Sequence, residues 1–129
     1  MNIPKYVKQL LIISIIMLLL DMIYLTTIGK QVFGPMVKNI QCGKSLQLKI
    51  WPAVLVYVVM IAGLYYFVIR HNGSIWDAAA LGLLVYLVYD LTNMATLTGY
   101  KWLAVILDGI WGGILFGTTT ALTYYIINN

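Results

Sequence analysis

Four long apolar segments follow one another along this chain, separated by short polar stretches. Positions 10–20 carry no charge, and the run continues through a lone aspartate, Asp21, to position 28. A ~30 Å hydrocarbon core takes about 20 helical residues at 1.5 Å each. The pattern therefore predicts spans at residues 7–28, 52–69, 76–98 and 102–127, with both termini on one side of a membrane. No strand signal competes with them. The expectation is an all-α, polytopic membrane four-helix bundle, a single transmembrane domain over residues 1–129.

The polar stretches refine this picture. Lys5 and Lys8 before the first run look like the start of a signal peptide, but no small-x-small cleavage site follows, so an uncleaved first span is expected. Residues 30–50 form the one long connection, with Lys30, Lys38, Lys44 and Lys49 and with Gly34-Pro35 and Gly43 as breakers. Val32, Phe33, Met36, Val37 and Ile40 suit a short amphipathic piece lying in the interface; a solvated loop is the alternative. Pro52 fits the first turn of the second span. Ser74-Ile75-Trp76-Asp77 has the form of a capping box, which gives Asp77 a structural role. Trp51, Trp76, Trp102, Tyr100, Tyr124 and Tyr125 fall at segment ends, as in an aromatic belt. Lys5, Lys8 and Arg70 stand on the side of the termini against five lysines opposite, a lean towards a cytoplasmic long connection.

Composition agrees with the pattern. The 129 residues are 62% hydrophobic and 9% charged, where soluble domains run to about 25% charged. Most of the eight Lys and Arg lie on short flanks, where they meet lipid headgroups. That argues against a nucleic-acid partner, which needs one clustered basic face. Single Cys42 and single His71 supply neither an intrachain disulfide nor a metal framework, and no motif calls for a cofactor.

The candidate chemistry lies inside the apolar segments. Asp21 stands seven residues before position 28, Asp90 eight before position 98, and Asp108 six after position 102. Those three helix ends share one membrane face, so each carboxyl is roughly 9–12 Å inside it. Three carboxyls in one layer cannot all ionise without shared protons, a cation or donors. Tyr24, Thr92, Asn93 and Trp111 are the donors at hand. On the third span Tyr86, Asp90, Asn93 and Leu97 form one stripe, widened by Tyr89, Thr92 and Thr96. On the fourth, Gly109, Gly113 and Gly117 recur every four residues, a ridge that lets a neighbouring backbone approach closely.

Three of these motifs carry a resemblance. Asp21-x-x-Tyr24, the stretch Tyr89-Asp90-Leu91-Thr92-Asn93-Met94-Ala95-Thr96, and Asp108-Gly109-Ile110-Trp111-Gly112 are similar to a family of small four-helix membrane proteins. That family, found in bacteria and some large DNA viruses, is catalogued as a domain of unknown function. The similarity covers nearly the whole chain and implies the fold and the membrane location, with no established activity. The family pattern has Trp three residues after the first Asp, where this chain has Tyr24.

Three functions use the same residues. In the first, a structural or accessory bundle, an Asp/Asn layer specifies packing through hydrogen bonds. In the second, a small oligomeric transporter, Asp21, Asp90 and Asp108 relay a proton or bind a cation. In the third, a membrane-embedded enzyme, the carboxyls hold a hard metal ion such as Mg²⁺. Four short helices leave little room for a private cavity, which points to a homo-oligomer under either of the first two. The lipid bilayer is the partner common to all.

Overall fold

The computed structural model describes residues 2–44 and 49–128. Every regular element in it is helical: α1 (Lys5–Tyr24), a π-helical turn (Leu25–Gly29), α2 (Lys30–Ile40), α3 (Ile50–Phe67), a 3₁₀ turn (Ile69–His71), α4 (Ile75–Thr96) and α5 (Trp102–Asn128). Four stretches are long and apolar enough to cross a membrane: Lys5–Ile40, Ile50–His71, Ile75–Thr96 and Trp102–Asn128. The chain is an all-α membrane bundle.

The largest departure from the sequence reading lies after position 28. The first half of the expected connection is helical, and α2 continues α1 through the π turn. At 36 residues the combined helix is about 54 Å long, more than a ~30 Å core needs. Thr26 and Thr27 explain how the ladder loosens without breaking. Their hydroxyls donate to the Met22 carbonyl (2.7 Å) and the Ile23 carbonyl (2.5 Å), which serves carbonyls that a π turn displaces. The apolar side of α2 is packed against the rest of the chain. Val32, Phe33, Met36 and Ile40 pack on Tyr100, Ala104 and Val105, together with Leu87 and Met94. Helix α2 ends in a Schellman-type turn: Cys42 and Gly43 take positive φ, and the Gly43 N–H donates to the Lys38 carbonyl at 2.8 Å. Residues 45–48 of the expected interfacial segment lie outside the described residues.

The second connection is compact for the same reason. Asn72 in the left-handed region lets the Gly73 N–H reach the Val68 carbonyl (2.8 Å), and the Tyr124 hydroxyl donates to the Gly73 carbonyl (2.7 Å). Ser74 Oγ then accepts from the Asp77 N–H at 2.9 Å, the cap expected from the sequence.

The helices stand in the spatial order α3, α1, α5, α4. The main core joins Ile13 and Met17 of α1, Met60 and Leu64 of α3, Ala78 of α4, and Leu115 and Phe116 of α5. Trp51, Trp76, Trp102 and Tyr125 are exposed at helix ends, consistent with an aromatic belt. Tyr100 and Tyr124 are the exceptions: Tyr100 is buried, and Tyr124 is half-buried against the core.

α4 and α5 pack most tightly, at Gly82 and Gly112. A Cβ on Gly82 would come within 2.0 Å of the Gly112 carbonyl, and one on Gly112 within 2.5 Å of the Gly82 carbonyl. The expected ridge sits beside this point. At Gly109 a Cβ would meet the flexible Leu87 side chain at 2.6 Å, while at Gly113 and Gly117 its nearest neighbours, 3.4 and 3.5 Å away, are in ordinary contact. The closest approach is thus at Gly112, outside the four-residue repeat, because Gly82 on the facing helix determines where the backbones meet. Gly82→Ala and Gly112→Ala should each lower stability in detergent by about 1–3 kcal/mol, the range for overpacking. Gly113→Ala should be near neutral. Thermal unfolding of the three purified variants checks the ranking, and equal melting points would refute it.

Candidate functional site: a buried carboxyl layer

Two helices supply the centre of the layer with the same local device. In α1, Asp21 and Tyr24 are three residues apart and share a face; in α5, Asp108 and Trp111 do the same. Because α1 and α5 run antiparallel, each carboxyl meets the aromatic donor of the other helix. The Tyr24 hydroxyl donates to Asp108 Oδ1 at 3.1 Å, and Trp111 Nε1 donates to Asp21 Oδ1 at 2.9 Å. The two rings stack with centroids 4.7 Å apart and planes 2° from parallel. This reciprocal clasp holds two carboxyls and two aromatic rings in one unit.

Other elements complete it. The Tyr57 hydroxyl of α3 donates to Asp21 Oδ2, so Asp21 accepts from two different helices. Asp90 of α4 accepts from the Tyr100 hydroxyl at 2.5 Å. The Asp90 and Asp108 carboxyls are neighbours in the layer. Asn93 stands beside the Tyr100 hydroxyl. Tyr86 packs edge-on to Phe116, its ring over Gly112, within electrostatic range of Asp21 and Asp108. The result is a line of polar groups from Tyr57 through Asp21, the stacked rings, Asp108 and Asp90 to Tyr100.

The carboxyls are well buried: Asp21 is 4%, Asp90 0% and Asp108 6% exposed. Their neighbours in the layer are phenols, an indole and one another's carboxyl, with no lysine or arginine among them. Asp90 Oδ2 is buried and accepts from no donor among the described residues. Tyr100, in the turn between α4 and α5, is held protonated well above its ordinary range, first by burial and then by its bond to Asp90.

The structure thus brings Asp21, Tyr24, Asp90, Asp108 and Trp111 together, with Asn93 at the edge. Thr92 is not part of the layer. It is exposed, and its hydroxyl donates to the Val88 carbonyl of its own helix at 2.6 Å. Among the described residues no one donor bonds to all three carboxyls: Asp21 accepts from Trp111 and Tyr57, Asp108 from Tyr24, and Asp90 from Tyr100. Among the described residues no group of three His, Cys, Asp or Glu stands close enough to hold a metal ion. Sequence reasoning missed Tyr57 and Tyr100 as donors. Tyr57 could have been noticed as a polar handle deep in an otherwise apolar span; Tyr100 was hidden by its place at a segment end.

A four-helix integral membrane protein with a polar layer across its helices is the class these observations define. Residues 6–125 match the model of the family described as Predicted membrane protein (DUF2177), and the chain belongs to that family. No curated protein and no solved structure matches it.

The clasp yields a test. Tyr24→Phe retains the ring and removes the donor to Asp108; Trp111→Phe removes the donor to Asp21. Each should destabilise the bundle by about 1–3 kcal/mol, the cost of leaving a buried acceptor unpaired. Because the two rings share one stack, the double variant should be non-additive by at least about 0.5 kcal/mol. Additive losses in detergent melts would mean that the two bonds act independently.

Proposed function

We propose that the chain is a structural or accessory membrane bundle whose polar layer fixes how its helices pack. The observation that carries this reading is that the hydrogen bonds of the layer link separate elements. α1 binds α5 twice, α3 binds α1, and the α4–α5 turn binds α4. In hydrocarbon an unpaired carboxyl costs roughly 2.5–3.5 kcal/mol on insertion scales, so arrangements that separate these pairs are disfavoured. A layer of this kind selects one packing among the many that apolar helices allow.

One observation favours a second reading, a proton- or cation-linked role. Asp90 Oδ2 has no donor among the described residues while a second carboxyl lies beside it. Two neighbouring carboxyls resist ionising together, and a shared proton or a bound cation would relieve that repulsion. Four helices enclose little interior volume, so an ion path would run between copies of the chain, and homo-oligomerisation belongs to this reading.

Flux measurements separate the two. Under the structural reading, vesicles carrying the purified chain should pass protons and monovalent cations no faster than vesicles carrying Asp90→Asn/Asp108→Asn. The same double substitution should lower the detergent melting point. A gradient-driven flux that the double variant abolishes would overturn the structural reading in favour of transport.

A further inference from the structure

On the side of the termini, away from the carboxyl layer, an open cleft of about 300 Å³ lies between the start of α1 and the end of α3. It is lined by Lys5, Tyr6, Gln9, Tyr65, Arg70 and Asn72. Two of its six lining residues are cations, and none is an acid.

The details favour an anion there. Gln9 is more than nine-tenths buried, and its amide bonds to no described residue, although it lines the cleft. Arg70 is held by its inner end: Nε donates to the Tyr66 carbonyl at 2.9 Å, and the guanidinium carbon stands 3.9 Å from the centre of the Tyr66 ring. That grip orients the guanidinium while its terminal amino groups bond to no described residue, leaving a fork of the kind that binds phosphate. α1 begins here with no side-chain cap and no acid in its first turn, so the positive end of its dipole is uncompensated. Position supplies the source of the anion. Lys5 begins one membrane-spanning helix and Arg70 lies at the end of another, the level at which lipid headgroups sit.

We propose that this cleft binds the phosphodiester headgroup of an anionic membrane lipid, with Lys5 and Arg70 as the charge partners and Gln9 as a buried donor. The site is independent of the carboxyl layer.

Native mass spectrometry of the detergent-purified chain, equilibrated with equimolar dioleoyl phosphatidylglycerol and dioleoyl phosphatidylcholine, tests this. The wild type should retain the phosphatidylglycerol in preference. Lys5→Gln/Arg70→Gln should reduce that retention on the order of tenfold or more, given what each interfacial cation contributes. Gln9→Leu should reduce it without any change in charge. Lys38→Gln/Lys44→Gln removes the same charge on the other side of the membrane and should leave retention unchanged. Equal retention of the two lipids would overturn the proposal, and so would an equal loss in the Lys38/Lys44 control, which would reveal general attraction to basic flanks. Release of the lipid by excess inorganic phosphate would also overturn it, by identifying a site for free phosphate.

Discussion

The arrangement of this bundle depends on one constraint: three carboxyls are buried among membrane helices and, among the described residues, no basic side chain pairs with them. Each must then be satisfied by neutral donors or by another carboxyl. The chain meets the constraint mainly with rings. Tyrosine and tryptophan bring one N–H or O–H at the end of a large apolar body. They satisfy an acceptor without adding a second charge, and they fill the volume that a small donor would leave open. The antiparallel pairing of α1 and α5 makes the solution economical. An aspartate with an aromatic donor one turn later, used on both helices, supplies two acceptors and two donors that match crosswise.

The close approach of α4 and α5 serves the same layer. Asp90 reaches Asp108 because these helices meet nearly backbone to backbone at Gly82 and Gly112, two turns from Asp90 and one turn from Asp108. A side chain at either glycine would force the backbones apart, and the two carboxyls lie near enough to the crossing to part with them. The apolar packing and the polar bonds are therefore one structure seen at two depths. Tyr86, whose ring lies against Gly112 and near Asp21 and Asp108, belongs to both.

What the sequence made legible follows from how local each signal is. The four spans and the three aspartates could be read because a charge in an apolar run stands out without reference to any other segment. The aromatic partners Tyr24 and Trp111 were legible because each lies one turn from an aspartate. Tyr57 and Tyr100 were not, because a tyrosine's role depends on which helix faces it, a pairwise property that no single segment encodes. Thr92 shows the converse. It lies two positions from Asp90, yet helical geometry turns it to the exposed side, where its own backbone satisfies it. The glycine spacing identified α5 as a packing helix but missed the contact point, which Gly82 on the partner helix selects. Gly34-Pro35 read as a break because proline removes a helix donor. Helix α2 nevertheless runs through both, with Pro35 on its exposed side and open space around Gly34.

The π turn ties the long first helix to the layer. It follows Tyr24 directly, and its additional residue changes the face that α2 presents relative to α1. On that altered face Phe33 meets Tyr100 edge-on, with centroids 6.4 Å apart, and Met36 accepts from the Lys101 N–H at 3.3 Å. Tyr100 is at the same time the donor to Asp90. One side chain therefore joins the packing of α2 to the hydrogen bonding of the carboxyl pair. A connection that reads from the sequence as an amphipathic interfacial piece or a solvated loop packs, in its helical half, against the residue that closes the polar layer, and this accounts for a first helix longer than a membrane crossing requires.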